Sequence, residues 1–340
     1  MGREVEDDGM RALVPTHGAP FGVSLQEAPD PRPRPHQVLV EVAHAALNFG
    51  DVNAVRSGGH TSGAVPGWDA AGVVREAAPD GSGPPVGARV VGFGPDGAWA
   101  ELRAVATREL AVVPDDVDLG AAAALPVSGV TALRALQRSG TLLGRRVLVT
   151  GASGGVGRFA VQLAARAGAH VIASASRAEG LTELGASTVV GTPADAGTAD
   201  VVIETVGGPQ LVQAWDVLQP GGVLQSIGWT SGEPATFPPY GTVGQPKSLA
   251  AFQSGSGYGP DLSVLLGLVA AGDLVVDVGW RGSWTRFDDA AQALLDRRVG
   301  LAGDPAGPQG RRQGRARHRL TQRRVRAVLV RHQGWRPLWR

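Results

Sequence analysis

The stretch Val147-Leu148-Val149-Thr150-Gly151-Ala152-Ser153-Gly154-Gly155-Val156-Gly157 narrows the fold more than any other part of the 340 residues. An apolar, strand-like run enters a glycine-rich turn, and a helical pattern leaves it. Val156, Phe159, Ala160, Leu163, Ala164 and Ala167 fall on one helical face. Gly168 is a stop signal, and Ala169–Ala173 reads as a second strand. Such a unit is suited to a diphosphate. Gly154 lets backbone approach it, Gly157 lets the helix pack close to the strand, and the helix N-terminus supplies N–H donors and partial positive charge. The hexad Ala152–Gly157 carries Ala in place of the usual first glycine. A glycine pattern alone is weak, but inside a complete βαβ unit it implies dinucleotide binding.

The end of the second strand selects the cofactor. An acid about 20 residues beyond the turn would bind a ribose 2′-hydroxyl. Here the stretch is Ser174-Ala175-Ser176-Arg177, with no acid before Glu179. Hydroxyls and a guanidinium suit a 2′-phosphate, so NADP(H) is the expected cofactor.

Around this unit the chain changes texture. Val38–Val42, Gly72–Val74, Arg89–Phe93 and Ala98–Ala106 are short apolar runs separated by turns such as Pro79-Asp80-Gly81, which predicts a partly open β-barrel up to about residue 120. Gly120–Leu136 reads as helix interrupted near Pro126. Strands at Arg146–Thr150, Ala169–Ala173, Thr188–Val190, Asp200–Glu204 and Gly222–Ile227 then alternate with helical spacing, as in a parallel sheet covered on both faces. Asp261–Ala271 and Phe287–Arg297 read as helices of a return segment.

Composition removes several chemistries. The chain has no Cys, which excludes disulfides, thiolate nucleophiles and Cys-ligated zinc or iron–sulfur clusters. It has no apolar run of membrane-spanning length and an acidic start without a signal-peptide core, so a cytoplasmic protein is expected. The net charge of +1 conceals a division. Residues 301–340 hold eleven Arg and one acid, Asp304, so the rest is net acidic. Residues 1–9 and this tail have the composition of disordered segments.

Ala46–Asp51 (ALNFGD), Gly67–Gly72 (GWDAAG), Gly97–Glu101 (GAWAE), Ala123–Ala132 (AALPVSGVTA), the turn above, Asp200–Gly208 (DVVIETVGG) and Gly221–Gly228 (GGVLQSIG) together resemble the zinc-independent, quinone oxidoreductase branch of the medium-chain dehydrogenase/reductase superfamily. The resemblance covers about residues 10–300. It implies a GroES-like partly open barrel domain (10–122 with 252–300) and a Rossmann doubly wound parallel-sheet domain (123–251), with cofactor in the cleft between them. It also implies a homodimer.

Residue roles follow from the same resemblance. Asn48 and Thr131 would hold the nicotinamide end, and Gly154, Gly155 and Val156 the diphosphate. Ser174 and Arg177 would take the 2′-phosphate; Gly228, Ala251 and Phe252 would line the nicotinamide. The plainer readings are that Asn48 caps a turn and Thr131 begins a helix. Phe49, Trp68, Asn53 and Trp229 would form the pocket for a planar electron acceptor, although buried aromatics commonly belong to the core. Many relatives carry Tyr where this chain has Asn53, so Asn53 is the candidate catalytic hydrogen-bond donor and cannot supply a proton as a phenol does. In zinc-dependent relatives His-Glu stands where this chain has Trp68-Asp69. With no Cys and scattered His, no metal site is expected.

The implied activity is NADPH-dependent, metal-free hydride transfer to a quinone or an α,β-unsaturated carbonyl. Two other readings stay open. Asn48–Val52 also resembles the enoyl reductase domains of polyketide synthases, which reduce carrier-bound acyl thioesters. A non-catalytic NADPH- or nucleic-acid-binding protein would instead use the basic tail on phosphates. That tail lacks motif structure, and nucleic acid is not expected as a partner. Relatives close the barrel with a short strand after the last helix. Here Arg-rich text begins at about Leu301, which suggests a missing strand and a frameshifted C-terminus.

Overall fold

A computed structural model of the chain describes residues 9–59 and 64–296 and the backbone strand Ala327–Arg331. Met10–Pro15 (β1) and Val23–Ala28 (β2) form an antiparallel hairpin that the sequence reading did not identify. The Leu13 N–H donates to the Trp99 carbonyl at 2.8 Å and ties the hairpin to the barrel.

Gln37–Leu47 (β3) is the barrel's longest strand, buried along most of both faces. After it come helix Phe49–Arg56 (α1) and strands Asp69–Glu76 (β4), Arg89–Phe93 (β5), Leu102–Ala106 (β6) and Leu110–Val112 (β7). They pair antiparallel as β3-β4-β5-β7, with β6 on the other edge of β3. Two helices then lead out of the barrel, Leu119–Ala123 (α2) and Pro126–Arg138 (α3). The break falls at Pro126, which occupies the first turn of α3, where its missing N–H costs no hydrogen bond.

Six parallel strands follow: Arg146–Val149 (β8), His170–Ser174 (β9), Thr188–Val190 (β10), Ala199–Glu204 (β11), Leu218–Ser226 (β12) and Ser248–Ala251 (β13). Helices Gly155–Arg166 (α4) and Gly208–Asp216 (α5) cross between them. The order β10-β9-β8-β11-β12-β13 reverses direction between β8 and β11, the place where doubly wound sheets bind ligands. The apolar stripe of α4 is buried, and Gly168, at φ +80° just past the helix end, stops it.

The chain then returns through Gly259–Ala270 (α6), strand Val278–Ser283 (β14) and helix Phe287–Leu295 (α7). One core joins the two units: Ala43, Ala71 and Val91 of the barrel share it with Leu125 and Val130 at α3, Val147 and Val149 of β8, and Leu265 of α6. Burying one such leucine or valine side chain contributes about 2 kcal/mol, so separating the units would be costly.

One expectation is corrected here. The closing strand is not missing: Ala327–Arg331 (β15) lies parallel to β14 and antiparallel to His44–Leu47 of β3. On that edge β6 covers β3 only from Gln37 to Glu41, and β15 pairs the stretch beyond, since any extended backbone can satisfy its N–H and carbonyl groups. The disorder expected for residues 1–8 and for the remainder of the 301–340 tail lies outside the described residues.

Candidate functional site

The glycine-rich turn leaves β8 at Thr150. Gly151 has φ +55°, and its carbonyl accepts the Gly154 N–H at 2.8 Å. Gly154 is the extended N-cap of α4, and among the described residues no side chain caps this helix. Its first-turn N–H groups therefore have neither an intrahelical partner nor a capping side chain. A side chain on Gly157 would enter backbone, whereas one on Gly155 would meet the Ser128 hydroxyl of α3. The Ala152 N–H donates to the Ser174 carbonyl at 3.0 Å, which fixes the turn against the end of β9. The Ser174 hydroxyl is buried and has no hydrogen-bond partner among the described residues. Arg177 is half-buried just beyond it. A free helix N-terminus, an unsatisfied hydroxyl and a guanidinium fit the diphosphate and 2′-phosphate of NADP(H).

The neighbouring strand ends are locked by Glu204, which sequence reasoning passed over. Its carboxylate is fully buried and accepts from the Thr150 hydroxyl (2.9 Å), the Val206 N–H (2.8 Å) and the Gly207 N–H (3.0 Å). Burial pushes its pKa up, and these donors offset part of that. Its only signal was an acid ending the apolar run Val201-Val202-Ile203. Gly228 sits against this assembly; a Cβ there would lie 2.8 Å from the Thr205 carbonyl oxygen.

The barrel side presents a second polar cluster. Asn48 is the N-cap of α1, as its plainer reading had it. Its amide nitrogen donates to Asp69 at 3.1 Å and more weakly to Asp51 at 3.3 Å, and its backbone N–H donates to Asp51 at 2.8 Å. Asp69 also accepts the Val127 N–H at 3.0 Å, so it caps α3 from across the cleft. Both acids are fully buried. Burial pushes Asp69 to about 7 and Asp51 well above the usual carboxylate range, where the charge of Asp69 adds to the effect. The buried Arg103 is pushed down to about 10 by desolvation; its guanidinium donates to the carbonyls of Trp68 and Asp96 rather than to either acid. The sequence reading quoted Asp51 and Asp69 within motifs but gave them no role, because their 18-residue separation conceals a shared amide.

The return crossing forms the remaining wall. The Phe252 N–H donates to the Ser226 carbonyl at 3.1 Å, and the Arg138 guanidinium lies 4.6 Å over the Phe252 ring. Arg134 of α3 pairs with Asp261 at 2.6 Å and donates to the carbonyls of Ser254, Ser256 and Gly257. Glu109 accepts the N–H groups of Gly257 and Tyr258. Tyr258 stacks on Phe93 at 4.1 Å, and Phe93 is the cross-strand partner of Asp69.

The structure thus brings Gly154, Gly155, Val156, Ser174 and Gly228 to one sheet end, and Asn48 to the facing barrel wall. Thr131 is buried within α3, and Ala251 is exposed at the end of β13. Phe49 opens α1, and Trp68 packs against Gly50 of the same helix. Trp229 instead covers Gly207, donates to the Glu233 carbonyl at 2.6 Å and is 47% exposed. The three aromatics therefore stand on two different units. Asn53 is half-buried in α1, where its carbonyl accepts the Ser57 N–H at 3.0 Å. Among the described residues no group of three or more His, Cys, Asp or Glu could hold a metal ion, and no helix is long and apolar enough to cross a membrane.

Residues 34–115 match the family described as alcohol dehydrogenase GroES-like domain, and residues 155–271 match zinc-binding dehydrogenase. Erythronolide synthase EryA2 of Saccharopolyspora erythraea is 36% identical over 240 residues, covering 65% of this chain but only 7% of that protein's own length. Acryloyl-coenzyme A reductase of Sulfurisphaera tokodaii is 30% identical over 259 residues, 64% of this chain and 77% of that protein. Among solved structures, a quinone oxidoreductase of Pseudomonas syringae pv. Tomato DC3000 superposes with a TM-score of 0.76 at 26% identity, covering 85% of this chain and 97% of that one.

Proposed function

Because the chain belongs to the medium-chain dehydrogenase/reductase superfamily and is quinone oxidoreductase-like, we propose that it is an oxidoreductase that uses NADPH to reduce a quinone or an α,β-unsaturated carbonyl without a metal. The observation that carries this reading is the uncapped N-terminus of α4 at Gly154, beside a strand end that offers Ser174 and Arg177 and no acid. Metal independence rests on the absence of Cys and on Trp68 standing where zinc-dependent relatives carry His.

When bound, NADPH supplies the hydride. The first turn of α4 binds the diphosphate, and Arg177 with the hydroxyls beside it takes the 2′-phosphate. Thr131, Asn48 and the crossing at Ala251-Phe252 orient the nicotinamide end. Asn53 donates a hydrogen bond to the oxygen on which charge develops. We assign the barrel unit to 10–122 with 252–300 and the nucleotide unit to 123–251, in a cytoplasmic homodimer.

A second reading has its own support. The 36% identity to a polyketide synthase favours an enoyl reductase acting on carrier-bound thioesters. One experiment separates the two: NADPH oxidation followed against small quinones, enones and crotonyl thioesters. Turnover of quinones or free enones supports the first reading, and turnover confined to thioesters supports the second. Calorimetry that detects no binding of NADPH or NADH overturns both.

A further inference from the structure

Asn53 leaves the proposed reaction without a proton. Hydride addition to an enone or quinone produces an oxyanion or enolate, and an amide can stabilise it but not protonate it. The buried acids beside Asn48 are groups that can.

Of the four carboxyl oxygens of Asp51 and Asp69, three accept hydrogen bonds. Asp51 Oδ1 takes the Asn48 N–H, Asp51 Oδ2 takes the Asn48 amide, and Asp69 Oδ2 takes that same amide together with the Val127 N–H. Only Asp69 Oδ1 has no partner among the described residues, although it is buried. Among the described residues no guanidinium hydrogen-bonds to either acid, since Arg103 spends its hydrogen bonds on backbone carbonyls. Two buried carboxylates held by one neutral amide do not both ionise. A proton on Asp69 belongs on Oδ1, the oxygen that accepts nothing.

We propose that Asp69, coupled to Asp51 through Asn48, stores the proton that completes reduction of the acceptor. The proposal rests on the oxidoreductase reading above. In the step, the reduced nicotinamide would give up hydride, its own C–H bond breaking as it is oxidised, and the new C–H bond would carry those two electrons to the acceptor. The Asp69 Oδ1–H bond then breaks and leaves its electron pair on the carboxylate. The proton passes through a water to the acceptor's anionic oxygen or enolate carbon, and solvent reprotonates Asp69 before the next turnover. Asp69 acts through that water, so it is a positioning residue rather than one that touches the acceptor. The new carboxylate is stabilised by the Val127 N–H at the α3 N-terminus and by the Asn48 amide. The groups facing Asp69 are Asp51 from α1, Arg103 from β6 and the phenol of Tyr258 ahead of α6, while Phe93 across the strand pair and Val127 bring no charge. Both oxygens of Asp51 accept hydrogen bonds and Asp69 Oδ1 accepts none, so Asp69 is the member of the pair that carries the cycling proton.

The test uses the full chain with Asp69→Asn, Asp51→Asn and the double variant. In wild type, kcat falls as pH rises through about 7. Asp51→Asn leaves Asp69 Oδ1 in place and keeps a fall of this kind. Asp69→Asn removes it, lowers kcat about tenfold or more with an unchanged NADPH Kd, and alters the solvent isotope effect on turnover. Independently of activity, infrared spectroscopy of the wild type near pH 6 shows a protonated-carboxyl band that Asp69→Asn loses. An Asp69→Asn enzyme with the wild-type pH profile, or a wild type without the band, overturns the proton store while leaving the oxidoreductase reading intact. Failure to bind NADPH overturns that reading and leaves the infrared result to decide the state of the acids.

Discussion

Gly157 lies so close to Gly151 that a Cβ built on it would sit 2.4 Å from the Gly151 carbonyl oxygen and 2.7 Å from the Ala152 Cα. Both obstacles are backbone and cannot rotate away. Gly157→Ala is expected to destabilise the chain by about 3 kcal/mol and to abolish dinucleotide binding by opening the turn. Gly155→Ala meets only the Ser128 hydroxyl, which can turn aside. Urea denaturation with calorimetry should therefore find Gly155→Ala the milder variant; equal effects would show that the two glycines are not distinguished by backbone contact.

Arg177 is the cation proposed for the 2′-phosphate. Arg177→Ala is expected to weaken NADPH binding about tenfold, a change of ~1.4 kcal/mol, and to leave NADH nearly unchanged. Titration with both nucleotides checks this, and an equal loss for both would remove Arg177 from the phosphate site.

Asn53→Ala tests the hydrogen-bond donor. Turnover is expected to drop about tenfold or more with no change in NADPH Kd, because the lost contact forms on the reacting acceptor. An unchanged rate in steady-state assays would eliminate the assignment.

Glu204 ties Thr150 and the N–H groups of Val206 and Gly207 into one buried network. Glu204→Ala leaves those donors buried and unpaired, so a loss of about 3 kcal/mol is expected in chemical denaturation. Glu204→Gln keeps one acceptor oxygen and should lose less.

Asp69 also sets a pH dependence of stability. Its folded-state pKa of about 7 stands above the ordinary 3.8, so the folded chain binds this proton more tightly than the unfolded one. The stabilisation is complete below about pH 3.8 and is lost as pH rises through about 7. Between pH 5 and 8 the Tm of wild type should fall more steeply than that of Asp69→Asn, as measured by differential scanning calorimetry.

Much of the nucleotide unit was legible in the chain. Strands β8, β9, β11 and β12 and helix α4 fall where short apolar runs and one helical stripe place them, because each reports local burial. The hairpin β1–β2 and helix α1 were not read. α1 begins at a motif whose residues suggested cofactor contact, while its first-turn acid Asp51 turns back to the Asn48 N–H. Strand β15 was obscured by Arg-rich surroundings, and only the stretch of β3 that β6 leaves uncovered shows why an extended segment pairs there.

The sequence by itself determined the glycine-rich turn, the alternation of strands and helices and the absence of thiol chemistry, all properties of residues close together along the chain. Tertiary structure alone decided that Asn48 lies between Asp51 and Asp69, that Asp69 caps α3, and that Arg134 grips a loop some 120 residues away. Those contacts depend on which groups lose water together when the two units close over one core. Burial, not residue type, makes Asp69 a carboxyl that titrates near neutrality.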